Sequence, residues 1–344
     1  MPESILHSDK PVIIISRTDN IGDVVLTLPL AAYIRKKYPK AHIYFLAKKY
    51  IRPLIEACEN IDDFLDVDEI SALPETFMQV DALKKLKADV IIHVSPNHEV
   101  AWLAKKAGIP LRIGTSHRSY HWLYCNKLIN FSRKRSPLHE AQLNFKLAAP
   151  LGLDVPKLED LKNSSGLTKV PQLQGENVFD KTRFNLILHP KSRGSGREWD
   201  WKNYNRLVDI LPKEKFKIFV TGTEQEGKVI QENLLKNHPE VIDMTGKQDF
   251  SQLIAFISKA DGLVASGTGP LHLAAALGRK AIGIYPPIRP IHPGRWAPLG
   301  PDAHFLVLDK SCVECKNNTY CACINSITPE QVKQLLEYRI SNPE

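Results

Sequence analysis

Ser266-Gly267-Thr268-Gly269-Pro270-Leu271-His272 joins two apolar segments of different kinds. Upstream, Gly262-Leu263-Val264-Ala265 has the length and composition of a buried strand. Downstream, Leu271-His272-Leu273-Ala274-Ala275-Ala276-Leu277 reads as a helix, stopped by Gly278 and followed by Arg279 and Lys280. Pro270 suits a first helical position, where its missing N–H costs nothing, and Thr268 is a good capping residue just before it. A strand that enters a helix this way aims free backbone N–H groups, and the positive end of the helix dipole, beyond its own carboxyl end. Phosphate is the usual occupant of such a place. The same signature also describes an ordinary capped helix, so its weight depends on its companions.

Outward from this turn the chain alternates strand-like and helix-like pieces. In the first half, strands are predicted at 12–16, 42–46, 64–67 and 89–94, and helices at about 24–37, 50–58, 76–87 and 99–107. The second half repeats the rhythm, with strands near 185–189, 216–220, 241–244, 262–265 and 281–285 and helices near 201–211, 224–236, 250–259 and 270–277. Strands that alternate with helices make parallel sheets covered on both faces. A chain of 344 residues is comfortable for two such domains. The stretch from Asp154 to Asn177 lacks periodicity and reads as the linker. Two doubly wound domains facing across a cleft would hold ligand at the carboxyl ends of their strands.

Composition narrows the class. Hydrophobic residues at 43% and charged residues at 24% describe a soluble globular chain, with no apolar run approaching a membrane span. Val12-Ile13-Ile14-Ile15 looks like a first strand rather than a signal peptide, and six cysteines do not make a disulfide scaffold, which points to the cytosol. Charge is uneven. Residues 101–150 hold nine Lys or Arg against one acid, Glu140, and so carry the whole net charge of +8. This concentration suits a phosphorylated substrate, an anionic membrane or nucleic acid, and equally a solvated basic face.

Several residues are placed for chemistry. Asp23 falls in Ile21-Gly22-Asp23-Val24-Val25, at a strand-to-helix turn, where a carboxylate can accept a proton from a substrate hydroxyl or merely cap the helix. His189-Pro190-Lys191-Ser192-Arg193-Gly194-Ser195-Gly196-Arg197 offers cations and glycines to a diphosphate, or is a mobile surface loop. Gly222-Thr223-Glu224-Gln225-Glu226-Gly227-Lys228-Val229 nearly matches a phosphate-binding P-loop. Val229 replaces the magnesium-binding hydroxyl and two glutamates would repel phosphate, so a ribose diol is the better partner. Cys312, Cys315, Cys321 and Cys323 have the number for a structural zinc, yet their spacing matches no standard ribbon, and reduced thiols are favoured.

Together these motifs resemble glycosyltransferase family 9, the heptosyltransferases of lipopolysaccharide core assembly, over nearly the whole chain. Ile21 to Pro29 looks like that family's N-terminal motif, and Thr268-Gly269-Pro270-Leu271-His272 looks like its donor phosphate motif. The resemblance implies the GT-B architecture, with residues 1–160 binding acceptor, 178–325 binding the nucleotide-sugar and 326–344 forming a C-terminal helix. It implies inverting transfer without a bound metal, with ADP-heptose as donor and a lipopolysaccharide core or related glycan as acceptor. Asp23 becomes the general base, and Arg197, with Ser192 nearby, reaches the donor diphosphate where the family usually has a lysine. Glu226, with Glu224 as rival, falls near the ribose, while Thr268, Gly269, Pro270 and His272 surround the phosphates.

Arg112, Arg118 and Arg133 lie in the acceptor half, where they could hold phosphorylated sugars of a glycolipid at the inner face of the cytoplasmic membrane. The chain departs from the family at Gly267, where better-known members carry an acidic residue that contacts the heptose. A same-fold transferase using a UDP- or GDP-sugar is one alternative, and a non-catalytic polyanion-binding protein is another. Nucleic acid is not expected as a partner, because the aromatics among the cations follow no recognised RNA motif.

Overall fold

The computed structural model describes residues 8–308 and 321–338. The chain divides into two compact units between Lys169 and Val170. Each is built on one six-stranded sheet in which every pair is parallel. The first sheet contains β1 (Val12–Ser16), β2 (His42–Ala47), β3 (Asp63–Asp66), β4 (Val90–His93), β5 (Leu111–Thr115) and β6 (Lys127–Ile129) in the order β3-β2-β1-β4-β5-β6. The second contains β7 (Phe184–His189), β8 (Phe216–Val220), β9 (Ile242–Asp243), β10 (Gly262–Ser266), β11 (Lys280–Tyr285) and β12 (Ala303–Val307) in the order β12-β11-β10-β7-β8-β9.

Both orders are doubly wound. The winding reverses between β1 and β4 in the first sheet and between β7 and β10 in the second. A crevice opens at such a reversal, because the loops leaving the two strands run to opposite faces of the sheet. The central strands are apolar on both faces, as a covered parallel sheet requires: Ile13, Ile14 and Ile15 are fully buried, as are Leu263, Val264 and Ala265.

Three strands were not predicted: β5, β6 and β12. Leu111-Arg112-Ile113-Gly114-Thr115 is interrupted by a cation and a glycine, and the three residues of β6 are too few to show a pattern. The helix predicted at 24–37 is two helices, Ile21–Val25 and Leu28–Lys37, because Pro29 has no N–H to continue the ladder of the first. The stretch read as a linker contains the division between the two units and is tied down at a few points. Leu161 is buried, and Leu167 forms an antiparallel bridge with Cys58 in the first unit. Beyond it, Gln252 bonds the backbone of Gln172 and Gln174 in the second.

The helix Pro329–Glu337 closes the second core. Val332 and Leu336 are fully buried, Trp199 Nε1 donates to Ile327 O at 3.0 Å and Lys333 Nζ donates to Ile210 O at 3.0 Å. Buried side chains of this size contribute roughly 1.5–3 kcal/mol each. Among the described residues no helix is long and apolar enough to cross a membrane.

Candidate functional site in two crevices

In the first domain the loop after β1 carries a buried arginine. Arg17 is only 3% exposed, and its guanidinium meets three carboxylates: Asp23 at 2.5 Å, Asp19 at 3.0 Å and Glu140 at 3.1 Å. Glu140, fully buried, also takes Arg133, whose other nitrogen donates to Val94 O at 2.9 Å. Asn144 accepts from both arginines and donates to Leu26 O and Thr27 Oγ1, binding the network to the break between the two helices. The loop after β4 joins the same crevice, since Ser95 Oγ donates to Asp19 Oδ1 at 2.6 Å.

Asp23 lies at the solvent edge of this network, its side chain 19% exposed. Burial pushes its carboxyl above the usual range, the Arg17 charge pulls it back and Asp19 pushes it up again. A carboxylate that is held in place by an arginine, yet prefers its proton more than usual, is suited to collecting a proton from a hydroxyl.

The second crevice is built differently. The loop after β7 folds on itself: Glu198 takes Lys191 and the Ser192 N–H, and the Ser192 hydroxyl lies 3.0 Å from Gly196 O. Ser195 Oγ lies 3.2 Å from Gly267 O, and a Cβ on Gly196 would stand 3.3 Å from that same carbonyl. The loops after β7 and β10 therefore touch through backbone. Gly267 has no room for a side chain, because a Cβ there would lie 2.7 Å from Tyr285 Cε1. Tyr285 is held in turn by Trp296 O, 2.6 Å from its hydroxyl, and its other ring edge fills the space a Cβ on Gly283 would need.

The helix after β10 runs Gly269–Ala276 with Pro270 in its first turn. Thr268 is its N-cap residue, but its side chain makes no capping bond, and Thr268 Oγ1 is buried without a hydrogen-bond partner among the described residues. Ser266 Oγ, two residues earlier at the end of β10, is in the same condition. A helix N-terminus with uncapped N–H groups and two unused hydroxyls is an anion cradle. His272 is buried on this helix.

The near P-loop behaves oppositely. Thr223 Oγ1 accepts from Glu226 N at 3.3 Å, and Glu226 Oε2 accepts from Thr223 N at 2.7 Å, so the helix Glu224–Ile230 closes its own N-terminus. Glu226 keeps its other oxygen, Oε1, 3.8 Å from Arg193 Nε. Nearby half-buried His189 lies 2.9 Å from Thr221 Oγ1, and desolvation pushes it down to about 4, so it is neutral.

Thus the structure brings Ser192, Arg197, Thr268, Gly269, Pro270 and His272 to the β7–β10 reversal, with Glu226 beside it at the end of β8, and places Asp23 at the β1–β4 reversal. It does not bring the three arginines of the acceptor half together. Arg118 is exposed at the carboxyl end of β5. Arg112 sits near the amino end of that strand, where its side chain donates to Ile109 O and Tyr124 O. Arg133 belongs to the buried network. Arg17, Glu140 and Asn144 escaped sequence reasoning, although Glu140, as the lone acid of a basic segment, was the signal for a buried partner. Cys321 and Cys323 are buried in the second core, while Cys312 and Cys315 lie outside the described residues. No group of three or more metal-binding side chains occurs among the described residues.

Two doubly wound domains with crevices at their sheet reversals are the architecture of two-domain α/β glycosyltransferases. The chain belongs to glycosyltransferase family 9 (heptosyltransferase), whose sequence model matches residues 79–323. It is similar to the lipopolysaccharide core heptosyltransferase OpsX of Haemophilus influenzae, 22% identical over 79% of this chain and 78% of that one. Its fold is shared with the E. coli ADP-heptose lipopolysaccharide heptosyltransferase II (TM-score 0.71, 20% identical, 95% of this chain and 98% of that one). It is shared also with E. coli heptosyltransferase WaaC bound to ADP (TM-score 0.71, 16% identical, 95% and 99%). The chain is therefore a glycosyltransferase, and the non-catalytic polyanion-binding alternative falls.

Proposed function

We propose that this enzyme transfers heptose from ADP-heptose to a lipopolysaccharide core or related glycan, in the cytoplasm, by inverting displacement without a metal. The observation that carries the donor half is the uncapped N-terminus of Gly269–Ala276 at the β7–β10 reversal, with Thr268 Oγ1 unused. Fixed N–H groups, together with Arg197, stabilise the departing diphosphate as a divalent cation does elsewhere, and preorganised charge of this kind is usually a large catalytic term. Glu226, by the oxygen that faces Arg193 and not the helix cap, takes the ribose.

In the first domain Asp23 removes the acceptor proton as the anomeric carbon gains oxocarbenium character. One displacement at that carbon inverts it. Arg17 holds the Asp23 carboxylate in place. Exposed Arg118 meets acceptor phosphate, and Arg112 and Arg133, whose donors are engaged within the fold, shape the domain that presents it. The names of the relatives support ADP-heptose and a lipopolysaccharide acceptor.

The test is thermal stabilisation by ADP, UDP and GDP and their sugars. A ligand at a hundred times its Kd adds about 2.7 kcal/mol. Selective response to ADP and ADP-heptose is expected, and a preference for UDP or GDP would replace the donor. Arg197→Ala is expected to weaken donor binding by about 1.5–3 kcal/mol, the range for a hydrogen bond to a charged group. Unchanged turnover in the presence of a chelator is the corresponding expectation for metal independence.

A further inference from the structure

One face of the first domain combines features that, Arg118 apart, the transfer reaction does not use. Trp122 and Leu123, adjacent on the short helix Ser119–Tyr124, are 66% and 63% exposed. The Trp122 indole N–H donates to Ser116 O at 2.9 Å. The ring is thereby fixed in direction and its one polar group is already satisfied, so an apolar phase can receive it without stranding a donor.

Cations surround the pair. Lys105, on the neighbouring helix His98–Lys106, donates to Leu123 O at 2.8 Å and stands 5.9 Å from the Tyr124 ring centre. Lys106 follows it, Arg118 lies at the start of the Trp122 helix, and Lys127 lies just past its end. All four are exposed. No acid occurs from Val100 through His139, and none of the four has a carboxylate partner among the described residues. No acid neutralises this charge, unlike that of Arg133, although Lys105 and Arg118 also donate to the Leu123 and His117 carbonyls.

We propose that this face docks on an anionic phospholipid surface, with Trp122 and Leu123 entering the headgroup boundary and Lys105, Lys106 and Lys127 meeting lipid phosphates. Apolar anchors ringed by unpaired cations match both halves of such a surface, the interfacial layer and its negative potential. A solvated basic face would account for the lysines but not for two large apolar side chains held outward among them.

The position also connects to chemistry. His98, at the start of the neighbouring helix, packs its ring 5.1 Å from Tyr120 and 5.4 Å from Tyr124. Three residues before it, Ser95 bonds Asp19 in the Asp23 crevice. The patch therefore extends outward from the crevice rim, where the sugars of an acceptor anchored in the same bilayer would arrive. That last step rests on the proposed lipid-linked acceptor.

The experiment is flotation of the full-length protein with vesicles of phosphatidylglycerol and phosphatidylethanolamine, against vesicles of phosphatidylcholine alone. Binding to the anionic vesicles only, lost in high salt, is expected. Trp122→Ser with Leu123→Ser should lower the partition coefficient on the order of tenfold. Lys105→Gln and Lys106→Gln should each lower it about fivefold. The response of each variant to ADP in a melting assay should match the parent, which separates a lost surface from a lost fold.

Parent protein that stays off anionic vesicles, or a double variant that floats undiminished, overturns the proposal. So does equal binding to uncharged vesicles, or binding of RNA through these lysines while vesicles are ignored. Vesicle binding with no response to any nucleotide sugar overturns the donor assignment instead and leaves the docking surface standing.

Discussion

The two crevices sit at the same topological position in their sheets and are made of opposite materials. The one between β1 and β4 is filled with ionisable side chains, a buried arginine facing three carboxyl groups. The one between β7 and β10 adds glycine backbone, small hydroxyls and a helix N-terminus to its Lys191–Glu198 pair and Arg197. The difference follows from the task. Moving a proton needs a titratable group whose affinity the surroundings can set, and charges close together in a buried space do that. Holding a diphosphate needs many weak donors at short range, and only residues without bulk let the backbone approach.

If the contrast is correct, Asp23→Asn removes the proton acceptor but leaves the donor crevice whole. Turnover should fall by about 10²–10⁴-fold while the melting response to ADP persists. Equal loss of both would erase the division of labour. Its pH signature has a definite sign. Because the carboxyl is raised above its ordinary range in the folded enzyme, activity should drop as pH falls through that raised value. Stability linked to the same group runs the other way: it is present at low pH and lost as pH rises from the ordinary value through the raised one. Asp23→Asn should flatten both.

The ionic crevice should also be the more brittle. Glu140→Ala leaves Arg17 and Arg133 facing each other without their shared carboxylate, at a cost of about 3–5 kcal/mol in a denaturant titration. A shift below about 1 kcal/mol would mean that the network is far less desolvated than its burial implies.

In the backbone crevice, Thr268→Val should act in two opposite directions. Removing a buried, unused hydroxyl should stabilise the ligand-free enzyme by about 1 kcal/mol, while donor binding weakens by about 1.5–3 kcal/mol. If stability fell instead, the hydroxyl would already have a partner in the fold. The smallest effect sharpens the contrast within the second domain. Thr223→Ala breaks a helix cap and should cost about 1 kcal/mol of stability, with donor affinity little changed because the backbone N–H at 223 still holds Glu226 Oε2.

What could be read in the sequence was what is local. Val12 to Ser16 and the turn at 266–272 were legible because a run of apolar residues and a capping pattern each fit within a dozen positions. The rejection of the P-loop had the right chemistry, since the glutamate that argued against phosphate is the one that closes the helix. The arginines were harder. Arg112 and Arg133 looked like surface cations until the fold supplied carbonyls and a carboxylate for them. Arg17 and Glu140 are bonded across 123 positions, a relation that no pattern within one segment can reveal. β5 was hidden because Gly114, which breaks its apolar run, is required where His121 and Cys125 press on the strand.

Tyr285 carries a consequence for descent. Its ring is gripped between Gly267 and Gly283, so neither glycine can acquire a side chain while the tyrosine keeps its place. The three positions are sterically coupled. An ancestor or descendant with a carboxylate at position 267 would need a smaller or displaced residue at 285, and single substitutions between the two states would pass through a clash. Sugar preference at this wall of the crevice would then change in paired steps rather than drift one residue at a time.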